Sequence, residues 1–144
     1  MKELKSVFSR EELAENAVKL LKKLIATPSM SRDEYNASLI IEGFFNEHQL
    51  TVNRFKNNIW ATNKHFDAGK PSILRNTHPD TVKPNKAYTV DPFIPVEKDG
   101  KLFGLGSNDA GASLVAMAQT FLYFYEAEDL SHNLVIALTA EEEI

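Results

Sequence analysis

Apolar positions along the chain change their period several times, and each change marks an element. Leu13, Ala17, Leu20, Leu21 and Leu24 recur at helical spacing behind Ser9 and Glu12, a Ser-x-x-Glu pair that reads as a capping box. This first helix is predicted to stop near Thr27-Pro28, because the residue before a proline avoids the helical region. Ser31 and Glu34 repeat the box, and Tyr35, Leu39, Ile40 and Phe44 are predicted to line a second helix. Short extended pieces follow at Thr51 to Phe55 and Asn58 to Thr62. Ser72 to Asn76 reads as a strand after the break at Gly69-Lys70-Pro71. Asp99-Gly100, between Pro95-Val96 and Leu102-Phe103, is a hairpin turn. Ala110 to Tyr125 is a mostly buried helix and Leu134 to Thr139 a buried strand. No repeat, low-complexity tract or linker interrupts the series. Helices, paired strands and a strand-helix-strand unit predict an α/β sheet covered by helices.

Composition narrows the class. At 144 residues the chain has the size of one ordinary domain. The 16 Lys and Arg are scattered and outnumbered by 20 acids, for a net charge of -4, which argues against a nucleic-acid footprint. Absence of cysteine excludes a disulfide scaffold, thiolate metal sites and a Cys nucleophile, and fits a reducing compartment. The opening MKELKSVFSREEL has no apolar core of signal-peptide length, and no stretch approaches a membrane span. A cytoplasmic protein with neither a nucleic-acid nor a membrane partner is expected.

Two strand endings then carry the chemistry. Ser72 to Asn76 runs into Thr77-His78-Pro79-Asp80, and Leu134 to Ala140 runs into Glu141-Glu142-Glu143. In open α/β sheets ligand sites lie beyond the carboxyl ends of the strands. Between the two comes Gly104-Leu105-Gly106-Ser107-Asn108-Asp109-Ala110-Gly111, an aspartate in a glycine-rich turn before the buried helix. One His with several carboxylates and no cysteine suits Zn²⁺ or a similar divalent ion. Each piece alone has a plain reading: a surface His, a solvated glutamate run, a helix-capping turn. Phosphate binding by the turn is not supported, because the Walker spacing and its lysine are missing. His48, His65 and His132 read as structural or exposed. Order and shared position at element ends give the three clusters their weight.

That order, "HPDTV", "DPF", "DGKLFGLGSNDAGA" and "TAEEEI", resembles the dinuclear-zinc acyl-amino-acid hydrolases: acetylornithine deacetylase, succinyl-diaminopimelate desuccinylase, aminoacylase and related carboxypeptidases. The similarity runs from about Leu13 to Ile144 and is nearest to acetylornithine deacetylase-type enzymes. It implies the N-terminal portion of a mixed-sheet zinc-hydrolase catalytic domain over residues 1–144. A further segment with more ligands and a dimerising lid would lie outside this chain, which alone is expected to be inactive. By the resemblance His78 binds one zinc, Asp109 bridges two, and Glu143 binds the other, with cobalt or manganese as substitutes. Glu142 would be the general base and Asp80 the carboxylate holding the His78 ring. The peptide bond after Asp109 is expected to be cis. Leu105 stands where the family commonly has Arg, and Ala110-Gly111-Ala112 departs from the usual x-Lys-Gly.

The implied activity is removal of an acetyl or succinyl group from an amino acid such as ornithine, in a full-length homodimer. Zinc lowers the pKa of bound water from about 15.7 to roughly 7, which makes a nucleophile available at neutral pH. A dipeptidase or carboxypeptidase would use the same chemistry. A non-catalytic acidic module binding a partner or a single Ca²⁺ is the other alternative. Spacing bears on the three glutamates. In a continuing strand Glu141 and Glu143 share a face and Glu142 points away. For Glu142 and Glu143 both to reach metals, the backbone is expected to leave the extended form there.

Overall fold

The computed structural model describes residues 8–144. Residues 1–7, part of the stretch read above as lacking a leader's apolar core, lie outside the described residues. Helix α1 (Arg10–Ile25) opens on the expected capping box: Glu12 N donates to Ser9 Oγ at 3.1 Å, and Ser9 N to Glu12 Oε2 at 2.8 Å. Helix α2 (Tyr35–Glu47) follows, then β1 (Asn53–Phe55), β2 (Asn58–Thr62) and β3 (Ser72–Thr77). Strands β4 (Val96–Lys98) and β5 (Lys101–Phe103) form the expected hairpin, with positive φ at both Asp99 and Gly100 as a primed turn requires. Helix α3 (Ser113–Phe124) and strand β6 (Asn133–Leu138) complete the chain.

Three expectations about the helices need correcting. The second Ser-x-x-Glu is not a capping box: α2 starts with no side-chain cap, and both residues bond elsewhere. Its buried face is also rotated. Ala37, Ser38, Ile41, Phe44 and Phe45 point inward, whereas Tyr35 and Leu39 are exposed. Both stripes have helical spacing, so the sequence leaves the phase open; packing on β2 and an Arg54 guanidinium set against the Tyr35 ring fix it. Helix α3 begins at Ser113 rather than Ala110, because Asp109 is extended (φ -113°, ψ 106°).

The main sheet has the order β1-β2-β6-β3. Strands β1, β2 and β6 pair antiparallel, while β3 and β6 pair parallel across α3, which makes the sheet mixed as expected. Ile59 lies opposite Leu138 and Ala61 opposite Ile136. These four join Leu20, Leu21 and Ile25 of α1, Ile41 and Phe45 of α2, and Leu114 and Ala118 of α3 in one core. Among the described residues no helix is long and apolar enough to cross a membrane.

Asn133 fixes where β6 begins. It is 1% exposed. Its Oδ1 accepts from Asp67 N at 2.8 Å, and its Nδ2 lies within bonding distance of Asp67 O, Lys70 O and Ser72 Oγ. Replacing it strips partners from buried polar groups, each costing about 1–3 kcal/mol. Asn133→Ala is therefore expected to lower stability by at least that amount, read as a lower midpoint in urea unfolding. An unchanged midpoint would remove Asn133 from the account of β6.

Candidate metal centre

The site is built where β3 and β6 end together. Thr77 pairs with Leu138, and Thr139 N donates to Thr77 O at 2.9 Å, extending the pairing past the last strand residue. His78 and Asp80 therefore leave the sheet beside the three glutamates.

Asp80 is the anchor, with 0% exposure. Its Oδ2 accepts from Ser31 Oγ at 2.6 Å and from Glu143 N at 2.9 Å. Burial alone raises the pKa of this carboxyl. The Ser31 hydroxyl and the backbone amides of Glu143 and Glu142 outweigh burial and hold it below the usual carboxylate range. Among the described residues the other oxygen, Oδ1, has no hydrogen-bond partner, and it stands 3.5 Å from His78 Nδ1. The same Nδ1 is 3.2 Å from the Asp80 carbonyl oxygen. Two acceptors on that side assign the ring proton to Nδ1, leaving the Nε2 lone pair facing outward.

Outward lie more oxygens. Nε2 is 3.4 Å from Asp109 Oδ1 and 3.7 Å from Glu142 Oε2. A lone pair and carboxylates facing one another without a proton between them repel, and a divalent cation turns that repulsion into coordination. His78, Glu142 and Glu143 each offer a ligand atom within 4.8 Å of the others. Asp109 approaches the same Nε2 but does not belong to that close triplet. This nitrogen-and-oxygen donor set fits Zn²⁺ or a similar ion, so the residues present suit the implied metal.

Backbone geometry aims these groups. After β6 the chain turns sharply: Glu141 has φ 63°, the departure from extended form expected above. Its N–H donates to Glu34 Oε1 at 2.9 Å, and Ala140 N donates to Asn58 Oδ1 at 3.0 Å. The Glu141 carboxylate lies 3.7 Å from Arg32 Nε and is not part of the close triplet. On the other side, Gly106 has φ 71° and accepts from Gly111 N at 2.9 Å. A Cβ on Gly111 would overlap that same carbonyl oxygen, so the turn needs glycine there. The Asp109–Ala110 bond is cis, as the resemblance implies. Leu105 is buried and donates its N–H to Pro92 O at 2.7 Å.

All five residues singled out in the sequence (His78, Asp80, Asp109, Glu142 and Glu143) thus gather at one place. Sequence reasoning missed Ser31, Glu34 and Asn58. Ser31 and Glu34 were assigned to a cap, and no local signal separates a cap from a partner 49 or 107 residues away.

Sheet and site together define an α/β protein with a carboxylate-rich, metal-capable centre at the strand ends. Residues 74–144 match Peptidase family M20/M25/M40, and the chain belongs to that family. It is 33% identical to a succinyl-diaminopimelate desuccinylase of Sulfurovum sp. over 130 residues, covering 89% of this chain and 34% of that protein. It is 36% identical to an acetylornithine deacetylase of Proteus mirabilis over 141 residues, covering 88% and 35%. The chain thus spans about a third of the length of these relatives. A dinuclear metal-binding peptidase of this family from Bacillus subtilis superposes with TM-score 0.69 at 17% identity, over 94% of this chain and 37% of that one. A metallo-carboxypeptidase from Sulfolobus solfataricus gives 0.73 at 15% identity, over 88% and 31%. These structural likenesses show a shared fold.

Ser31→Ala tests the anchor. A hydrogen bond to a charged group contributes about 1.5–3 kcal/mol. Because Asp80's folded-state pKa is depressed, that stability is present above the unfolded carboxyl's value, about 3.9. It is lost as pH falls through the folded value. Ser31→Ala is expected to be less stable than the parent at pH 7 and to converge with it in strong acid. A difference that persists undiminished in acid would show that the serine acts by packing alone.

Proposed function

We propose that residues 1–144 form the N-terminal portion of the catalytic domain of a dinuclear-metal amide hydrolase that removes an N-acyl group, acetyl or succinyl, from an amino acid such as ornithine. The observation that carries this reading is the His78 ring. Its Nδ1 is backed by the otherwise unpartnered Asp80 Oδ1, and its Nε2 faces two carboxylates. His78, Asp109 and Glu143 would hold the ions, zinc or its substitutes cobalt and manganese. When bound, such ions supply Lewis-acid activation of water and of the amide carbonyl.

The chain's own residues do the rest. Asp80 fixes the ring orientation of His78 and sharpens Nε2 as a donor. The Glu142 side chain is 59% exposed and lies 3.7 Å from His78 Nε2, while its neighbour's amide is tied to Asp80. That suits a base that takes the proton of the attacking water and delivers it to the leaving nitrogen, giving a carboxylate and a free amino group. A cleft of about 300 Å³ between Val82, Tyr88, Leu105 and Gly106 opens onto Asp109 and Glu143 and gives a small N-acyl amino acid a place to sit. Leu105 adds apolar surface to that cleft in the position where the family commonly carries a cation. The desuccinylase and deacetylase relatives favour an acyl-amino acid over a peptide. A cytoplasmic homodimer belongs to the same reading.

Three substitutions divide the labour in the complete enzyme. Glu142→Gln is expected to keep the metals and lose about 10²–10⁴-fold in kcat, because an amide cannot accept the water's proton. Glu143→Gln weakens metal occupancy and is partly rescued by excess zinc, and Glu141→Gln does little. Metal content measured beside kcat decides it. Catalysis lost with metal retained in Glu141→Gln would shift the base by one residue. The 144-residue chain alone is expected to bind zinc weakly without turnover, and robust hydrolysis by it would refute the assignment of only a portion of the domain.

A further inference from the structure

Glu34 is a buried carboxylate that the chemistry above does not use. It is 0% exposed and stands just before α2, yet it makes no capping bond there. Its Oε2 is 3.4 Å from Asn57 Nδ2, a long contact. Its close bond is to the distant Glu141 N–H, at 2.9 Å across 107 residues. Arg32, nearby in sequence, turns instead to the Glu141 carboxylate.

That one N–H belongs to a residue in an unusual state. Glu141 has φ 63°, a region that is unfavourable for a non-glycine residue and persists only where surroundings enforce it. Backbone hydrogen bonds that hold the segment include Thr139 N to Thr77 O, Ala140 N to Asn58 Oδ1, Glu141 N to Glu34 Oε1, and Glu143 N to Asp80 Oδ2. The third acts on the backbone of the left-handed residue itself. Without it, the two carboxylates that follow lose the turn that points both toward His78.

We infer that Glu34 is a positioning residue: by accepting the Glu141 N–H it holds the left-handed turn that sets Glu142 and Glu143 opposite His78, and so it governs metal affinity without touching metal or substrate. The inference rests on the metal-centre reading above. It needs an acceptor at the right distance. Glu34→Gln keeps both the acceptor and the side-chain length. Glu34→Met keeps the length without an acceptor, and Glu34→Asp keeps the charge but withdraws the acceptor by one methylene.

The test uses the full 144-residue chain and two readouts. In metal-free protein, the Glu141 amide is expected to exchange with solvent about 10–100-fold faster in Glu34→Met and Glu34→Asp than in the parent, with Glu34→Gln near the parent. In a zinc titration followed by the His78 imidazole resonances, the same two variants are expected to bind about 10–100-fold more weakly, again with Glu34→Gln near the parent. Equal zinc affinity in Glu34→Gln, Glu34→Met and Glu34→Asp would overturn the inference, as would an unchanged Glu141 exchange rate. Should Glu34→Met not fold, Glu34→Asp against Glu34→Gln makes the same comparison. A parent protein whose His78 resonances ignore zinc would overturn the metal-centre reading itself, whatever the exchange data show.

Discussion

The parallel pairing of β3 with β6, Thr77 opposite Leu138, is the constraint on which the rest of this structure depends. Parallel neighbours end on the same edge of a sheet, so their following residues emerge together. Here one strand delivers His78 and Asp80, and the other delivers the glutamates. A crossover through α3 joins them, and its approach carries Asp109 over the same edge. Had β6 paired antiparallel with β3, the glutamates would lie at the opposite end. The core enforces the register: a slip of one residue would take Ile136 and Leu138 off the face they share with Ile59 and Ala61.

On that frame Asp80 joins three separate parts of the chain. One carboxylate oxygen ties down the loop before α2 through Ser31 and the end of the chain through the Glu143 amide; the other faces His78. A carboxylate so deeply buried would be costly alone, and its hydrogen bonds offset that cost. The same bonds keep it charged, which is the state that draws the proton to His78 Nδ1 and leaves Nε2 free to donate to a cation. Around it the local rules of chain conformation are broken in several places at once. Asp109 interrupts a helix, Glu141 is left-handed, and Ser31 and Glu34 abandon a cap. Local and global preferences conflict in this way mainly at functional sites, and these conflicts lie in the residues gathered about His78 and Asp80 and their supports.

Much of this was legible in the sequence because the signals were local. Among the described residues, periodicity and turn signals placed α1 to α3 and β1 to β6, with ends exact or off by up to three residues. The capping box at Ser9 and the Asp99-Gly100 turn depend on neighbours within a few residues, and both formed as read. His78, Asp80, Asp109, Glu142 and Glu143 stood out because each follows a strand or precedes a helix, where an α/β fold builds its site. The resemblance supplied their roles.

What the sequence could not decide were the choices settled between distant residues. The inward face of α2 was open because Tyr35/Leu39 and Ala37/Ile41 have equal claim to helical spacing, and only packing on β2 chose. Ser31-x-x-Glu34 has the form of a cap, but Asp80 and the Glu141 amide offered both side chains partners 49 and 107 residues away. A lone peptide cannot display those partners, since they exist only once β3 and β6 have paired. Sequence determined the elements and the residue types capable of chemistry, because these follow from local sterics and periodicity. Tertiary structure decided which side chains became the supports of the site, because hydrogen bonding in a buried cleft depends on distances that the order of residues does not contain.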